Sequence, residues 1–162
     1  MPDTPEQIIC KPSIADIFSL PFLFDQAVAT DFSFYNDQVK KRILKKNSLR
    51  RLFFARLRKQ RIILVAKVGG RCVGLIIASH NANIGIVHWV FVLNDYRKQK
   101  IGSNLLKKVE FELGNLGCHK IKLTTEIAPD FYKNLGYTQE GLLKKHWWGK
   151  DFTVLSKNLG DV

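Results

Sequence analysis

At 162 residues and 18.6 kDa, with 46% hydrophobic residues, the chain has the size and apolar content of one domain with a buried core, which excludes a disordered tail or a fibrous repeat. Its net charge of +12 brings phosphates, acidic proteins and nucleic acid into consideration as partners, while no apolar run approaches the roughly 18 residues of a membrane span. Cys10, Cys72 and Cys118 are odd in number, widely spaced and far from any histidine cluster, so they read as reduced thiols with no metal among them; the acidic opening "MPDTPEQIIC" is no signal peptide, and a cytoplasmic location is expected.

In chain order, residues 6–11 read as a short strand and residues 13–29 as an apolar, aromatic helix opening at Ser13. "TDFSFYN" is a loop, and helix fills residues 36–59 with a break near Asn47 and Ser48. The period then changes. "RIILVAKV", "RCVGLIIAS" and "NIGIVHWVFVL" are short and rich in Val and Ile, and Gly69-Gly70 between the first two is a two-residue hairpin signal, so an antiparallel meander is predicted. From Gly102 the residues Leu105, Leu106, Val109, Leu113 and Leu116 keep to one helical face, which Gly117 ends. "KIKLTT" is a strand, "APDFYKNLG" a short helix closing at Gly136, and "YTQEGLLKKHWW" and "DFTVLSKNL" two last strands joined through Gly149 and Lys150. There is no repeat and no linker, so residues 1–162 read as a single domain.

Charge is unevenly placed along this order. Between Asp37 and Asp95 there is no acidic residue, yet that stretch holds half of the 26 Lys and Arg. Val39, Ile43, Leu44, Leu49, Leu52, Phe53 and Leu57 fall near helical spacing among those cations, so a solvated helix face explains most of them. A second, smaller cluster is more informative. Arg97, Lys98 and Lys100 precede Gly102 and Ser103 where a helix begins, and a helix N-terminus has unpaired N–H groups that receive anions. Polyphosphate is the natural guest, with Gly102 allowing close approach to the backbone. Neither GxxxxGK[ST] nor a GxGxxG turn is present, which excludes a P-loop and a dinucleotide fold.

The order of elements, with "VGLIIAS", "VHWVFVLNDYRKQKIGS" and "APDFYKNLGY" in these places, resembles the GCN5-related N-acetyltransferase (GNAT) family over nearly the whole chain. The resemblance implies a mixed α/β (α+β) fold with a mostly antiparallel twisted sheet of about seven strands, about four flanking helices, and a splay between the fourth and fifth strands. It implies acetyl-CoA as co-substrate, direct acetyl transfer to a primary amine, and a pyrophosphate received by Arg97, Lys98, Gln99, Lys100, Ile101, Gly102 and Ser103. Val90 and Val92 on the fourth strand would line the coenzyme, with Val90 offering a backbone N–H to the developing oxyanion, and Lys133 would approach another coenzyme phosphate. The family's loop pattern has glycine where this chain has Lys100, so altered geometry is expected there.

Acetyl transfer from a thioester needs a neutral amine and a proton for the departing thiolate. Tyr132 matches the family's general acid. His88, two residues before Val90, matches the place where members with a side-chain base carry it, although a packed histidine with a satisfied ring fits the sequence equally well. The acceptor would lie between the early helices and the last strand pair, lined by Phe18, Phe22, Phe24, Phe32, Phe34, Tyr35, Trp147 and Trp148, most of them core residues; it would be a small-molecule or peptide amine. Two rival readings stand: an aminoacyl-tRNA or protein N-acetyltransferase using the basic 38–71 region, and a non-catalytic CoA- or RNA-binding module on the same fold. Nucleic acid is the less favoured partner, and no membrane contact is expected.

Overall fold

A computed structural model describes residues 6–57 and 61–160, which build one seven-stranded sheet with helices on both faces. Strand β1 is Gln7–Cys10, followed by helix α1, Ile14–Thr30. Ser13 caps α1 because its side-chain oxygen accepts from Asp16 N (3.2 Å) while the Asp16 carboxylate accepts from Ser13 N (2.8 Å), pairing two donors that a helix start leaves open. The expected break falls where it was read: α2 spans Asp37–Lys46, α3 spans Leu49–Arg56, and the buried Asn47 between them turns its amide back to Ile43 O (2.9 Å). The sequence-based end of that helix at residue 59 lies outside the described residues.

Strands β2 (Arg61–Val68), β3 (Arg71–Asn81) and β4 (Ile84–Val92) form the meander, and Gly69 and Gly70, with φ of 55° and 79°, make the tight hairpin between the first two. Residues 72–78 of β3 are buried without a break, so this strand is covered on both faces. Helix α1 packs on one face through Ile17, Leu20, Phe24 and Ala27. Helix α4, Ile101–Asn115, packs on the other through Leu105, Leu106, Val109 and Leu113. Each fully buried side chain of this size contributes about 1.5–3 kcal/mol. Gly117, at φ 79°, takes the left-handed turn after α4.

Strand β5 (Lys120–Thr125) runs parallel to β4, the single-turn helix α5 covers Pro129–Lys133, and β6 (Thr138–Leu143) and β7 (Phe152–Asn158) close the chain. The sheet order is β1-β2-β3-β4-β5-β7-β6, so the last strand is inserted beside β5 rather than added at the edge. Of residues 137–148, expected to be strand throughout, only Thr138–Leu143 is. The β6–β7 ladder stops at Leu143 and Phe152, and His146, Trp147 and Trp148 form a compact turn. Its backbone groups are satisfied locally, by Lys145 N to Asp151 Oδ1 (2.8 Å) and His146 N to Lys150 O (2.8 Å), which removes the need for a partner strand. No helix among the described residues is long and apolar enough to cross a membrane.

Asp16 joins the α1 cap to the sheet, because the same carboxylate meets Lys67 Nζ of β2 at 2.8 Å. Burial works against its charge, but Lys67 and the Ser13 donors outweigh it and hold the pKa at about 2. A carboxyl depressed in the folded state contributes stability above its unfolded pKa and loses it as pH falls. We expect stability to decline from about pH 4 down through pH 2 by way of this group, and Asp16→Asn to lower the melting temperature at pH 7 while flattening that acid limb; circular dichroism melts across pH check both.

Candidate active site

The site begins where two strands part. Strand β4 pairs with β5 only from Ile84–Lys120 to Val87–Leu123, and residues 88–92 have no β5 partner. Backbone groups on that edge are therefore open to a ligand. At the same point β4 bulges. Val87 and Trp89 pair with the consecutive β3 residues Ala78 and Ile77, leaving His88 as the extra residue.

The bulge corrects the orientation that simple alternation predicts, with His88 sharing a face with Val90 and Val92 and opposing Trp89. The His88 Nε2 lies 2.7 Å from Ser79 Oγ, and Ser79 shares its face with Ile77, the residue opposite Trp89. Trp89 packs edge-on against Phe24 of α1 (5.3 Å between centroids) and against Phe32 (5.6 Å). His88 is thus on the α1 side of the sheet, at the parting of the strands. Its outer edge is open to solvent, yet the flanking sheet partly buries the ring; this burial first, and the charge of Arg61 second, push its pKa below the usual histidine value. It is held neutral, the state a proton acceptor needs.

After β4 the chain passes a 3-10 turn, Asn94–Tyr96, and enters α4 through residues 97–100. Arg97 does not point to an anion. Its guanidinium donates through Nε to Val92 O (2.9 Å) and through Nη2 to both oxygens of Asp31 (2.8 and 2.9 Å), and it lies over the Phe91 ring. Arg97 therefore ties the loop to β4 and to the end of α1. The exposed Lys98 and Lys100 both have left-handed backbones, with φ of 61° and 62°. Lys100 is the N-cap of α4, no side chain caps the helix, and no acid occupies its first turn. Among the described residues no hydrogen bond engages the N–H groups of Lys98 to Ser103; the first helical donor is Asn104 N to Lys100 O. A row of unpaired N–H groups with two free cations beside them has the chemistry to receive an anion.

Other loop residues take narrower parts. Gln99 turns its amide to Asp95 O (3.2 Å), and Ile101 buries its side chain, so only its backbone faces outward. Gly102 was expected to let a ligand approach. Instead a Cβ there would lie 3.2 Å from Phe131 Cζ and 3.8 Å from Val92, so the glycine lets Phe131 of α5 sit against the helix start. Val92 packs into that corner, Val90 and Ser103 are half-buried, and Lys133 lies 3.7 Å from Asp130 on the exposed side of α5.

Tyr132 stands next to Phe131 (5.0 Å between rings) and 5.9 Å from Tyr137, whose hydroxyl donates to Glu110 Oε1 (2.9 Å). Tyr137 is buried and Phe131 fills the corner against Gly102. Burial pushes the Tyr132 hydroxyl up to about 12, which keeps it protonated and able to donate.

On the α1 side, the eight aromatics proposed to line a cleft divide. Phe18 and Phe22 face solvent and Phe24 is core, while Phe32, Tyr35 and Trp148 gather around Trp89. Phe34 and Trp147 are exposed at the rim. Within this group lies a carboxylate that the sequence reading missed. Glu126, directly after β5, accepts from the Tyr35 hydroxyl; burial raises its pKa, and Tyr35 and the charge of Lys150 oppose the rise. Its signal was a lone acid at the end of the strand that parts from β4. Asp31 was missed as well, since only the fold brings it to Arg97.

Comparison with known proteins follows this geometry. Residues 59–139 match the family model described as an acetyltransferase (GNAT) domain. The chain is 30% identical over 95 residues to N-alpha-acetyltransferase 30 of Homo sapiens, a match covering 53% of this chain and 26% of that protein, so it spans about a quarter of the curated relatives it matches. In structure it resembles the PaiA N-acetyltransferase from Thermoplasma acidophilum in complex with coenzyme A, with a TM-score of 0.80, 21% identity, and 94% of this chain and 99% of that one covered. An aminoglycoside 6'-N-acetyltransferase complexed with coenzyme A gives a TM-score of 0.71 at 20% identity, covering 96% and 98% of the two chains.

The left-handed backbone at residue 100 accounts for glycine in the loop pattern quoted above, since a Cβ costs about 1–2 kcal/mol in that conformation. Lysine accepts that strain and adds a charge. Lys100→Gly is expected to raise stability by roughly 0.5–1 kcal/mol, the strain relieved less the entropy lost. The same variant should bind coenzyme A more weakly at low salt; urea denaturation and titration calorimetry read the two effects separately.

Proposed function

From the premise that the chain belongs to the acetyltransferase (GNAT) family, we propose that it is an acetyl-CoA-dependent N-acetyltransferase, acting as one domain on a primary amine. The observation that carries this reading is the uncapped start of α4, flanked by Lys98 and Lys100 and set at the end of the strand that parts from β5. The N–H groups of residues 98–103 and the two ammonium groups hold the pyrophosphate, with Arg97 fixing the loop on Asp31 rather than touching the phosphates. The open β4 edge at Val90 and Val92 lines the pantetheine arm, and Lys133 reaches toward a further phosphate. When bound, acetyl-CoA supplies the activated acyl group.

The chain's own groups then manage two protons. His88, neutral at pH 7, accepts the proton of the acceptor ammonium from the α1 side, and Ser79 orients the ring through its hydroxyl. Tyr132, protonated until about pH 12, donates to the thiolate that leaves on the opposite side of the parted strands. A thiol leaves acceptably on its own at a pKa near 8.5, so the tyrosine accelerates the step without being indispensable. The acceptor enters between the α1 side of the sheet and the turn that carries Trp148.

A melting-temperature shift on adding acetyl-CoA, followed by thiol release over an amine panel, tests the activity; no shift at saturating coenzyme would refute it. Two variants test the roles. Tyr132→Phe should cut kcat about tenfold or more with coenzyme affinity unchanged, whereas an unaltered kcat in a less stable protein would make the tyrosine structural. Since the folded pKa of His88 is lowered, the acid limb of kcat/KM should fall below pH 6.5. His88→Gln should abolish that limb and spare coenzyme binding; a wild-type profile in the variant would assign the proton to water.

A further inference from the structure

A second concentration of charge lies away from the α4 loop. Arg42, Lys45 and Lys46 of α2, Arg51 of α3 and the indole of Trp148 line a concavity of about 330 Å³ that shares no residue with the loop. Six cations elsewhere in the protein meet a carboxylate: Lys67, Arg97, Lys108, Lys120, Lys133 and Lys157. Among the described residues the four cations of the concavity meet none, and no acid occurs in sequence between Asp37 and Asp95 to supply one. A solvated face accounts for Lys45 and Lys46, which sit in the last turn of α2 where the helix dipole favours them. It does not account for Arg51. That residue stands in the first turn of α3, where the dipole opposes a cation and Ser48 makes no side-chain cap. The convergence is repulsive until an anion fills it.

The remaining wall connects this concavity to the acceptor side of the sheet. Trp148 is held in a left-handed conformation, φ 54°, unusual for a bulky side chain, and its ring stands edge-on to Tyr35 at 5.3 Å. Tyr35 in turn donates to Glu126 at the parting of β4 and β5. One pair of aromatic rings thus separates a cluster of cations from a carboxylate, Glu126, that has the charge of Lys150 beside it. That arrangement matches a molecule with an anion at one end and an ammonium at the other.

We propose that the Arg42–Lys45–Lys46–Arg51–Trp148 concavity is an anion site that seats the phosphate of a small phosphorylated amine, which is the acceptor. Arginine forks suit the oxygens of a phosphomonoester, and the volume admits a phosphate with a few further atoms. The acceptor's ammonium then lies on the Glu126 side of Tyr35 and Trp148, on the α1 side of the sheet that His88 shares. The identification of the occupant as an acceptor rests on the N-acetyltransferase reading; the anion site itself does not.

The test uses the full chain saturated with coenzyme A, so that the α4 loop is filled. Inorganic phosphate, ethanolamine and O-phosphoethanolamine are titrated while amide and indole resonances are followed. Expected are saturable shifts at residues 42–51 and at the Trp148 indole with phosphate, and binding of O-phosphoethanolamine at least tenfold tighter than of ethanolamine. Arg42→Gln with Arg51→Gln, both exposed positions, should lose at least tenfold in phosphate affinity while keeping the melting temperature and coenzyme affinity. Shifts confined to residues 98–103, or a double variant that binds phosphate as the wild type does, would overturn the proposal. Binding of a 12-nucleotide RNA at this face without saturable phosphate binding would overturn it too, in favour of a nucleic-acid surface. A wild type that fails to bind coenzyme A at all would instead sink the acetyltransferase reading, and the phosphate titration of the uncomplexed protein would then judge the anion site by itself.

Discussion

The ladder between β4 and β5 ends after Val87 and Leu123, and every feature of the candidate site depends on that ending. Parallel pairing across the full strand would satisfy the β4 edge and leave no room for a ligand. Because it stops, the edge at residues 88–92 is free, while β5 stays paired with β7 along its whole length from Lys120 to Thr125. The covered strand β3 makes this affordable. Its burial between α1 and α4 holds the sheet together while its neighbour β4 gives up half of its hydrogen bonds on one side.

Two layers then reach the opening from opposite faces. Helix α4 brings an uncapped, positively charged start, and α5 leans on it through Phe131 at Gly102, which sets Tyr132 beside the loop. Helix α1 and its following segment bring Asp31, Phe32 and Tyr35, and the closing turn brings Trp148. The ion pair of Arg97 with Asp31 couples the two layers, since it anchors the loop of one to the end of the other. Partial exposure makes its direct energetic contribution small, so its value is geometric.

Much of the fold was legible in short-range pattern. The Gly69-Gly70 hairpin and the break at Asn47 follow from local conformational rules and are where they were read, as is the apolar face of α4 through Leu105, Leu106, Val109 and Leu113; Leu116, read onto the same face, follows the helix as its C-cap and is exposed. The site was legible only in part. A cation before a helix marked the loop, but whether Arg97 met a phosphate or a carboxylate depended on Asp31, a residue 66 positions away. Glu126 gave no periodic signal, and His88 was assigned to the wrong face because strand alternation assumes an unbroken ladder. The "KKHWW" run had the β-forming aromatics of a strand, yet a single side-chain bond from Asp151 and two left-handed residues, Lys145 and Trp148, were enough to curl it.

The bulge at His88 also separates architecture from chemistry along the chain itself. With that residue removed, Trp89 would follow Val87 as Ile77 precedes Ala78, the ladder would run on unbroken, and each side chain of β4 would keep its face. The extra backbone unit, not the imidazole, makes the bulge, so the side chain at position 88 can change while every other residue of β4 keeps its face.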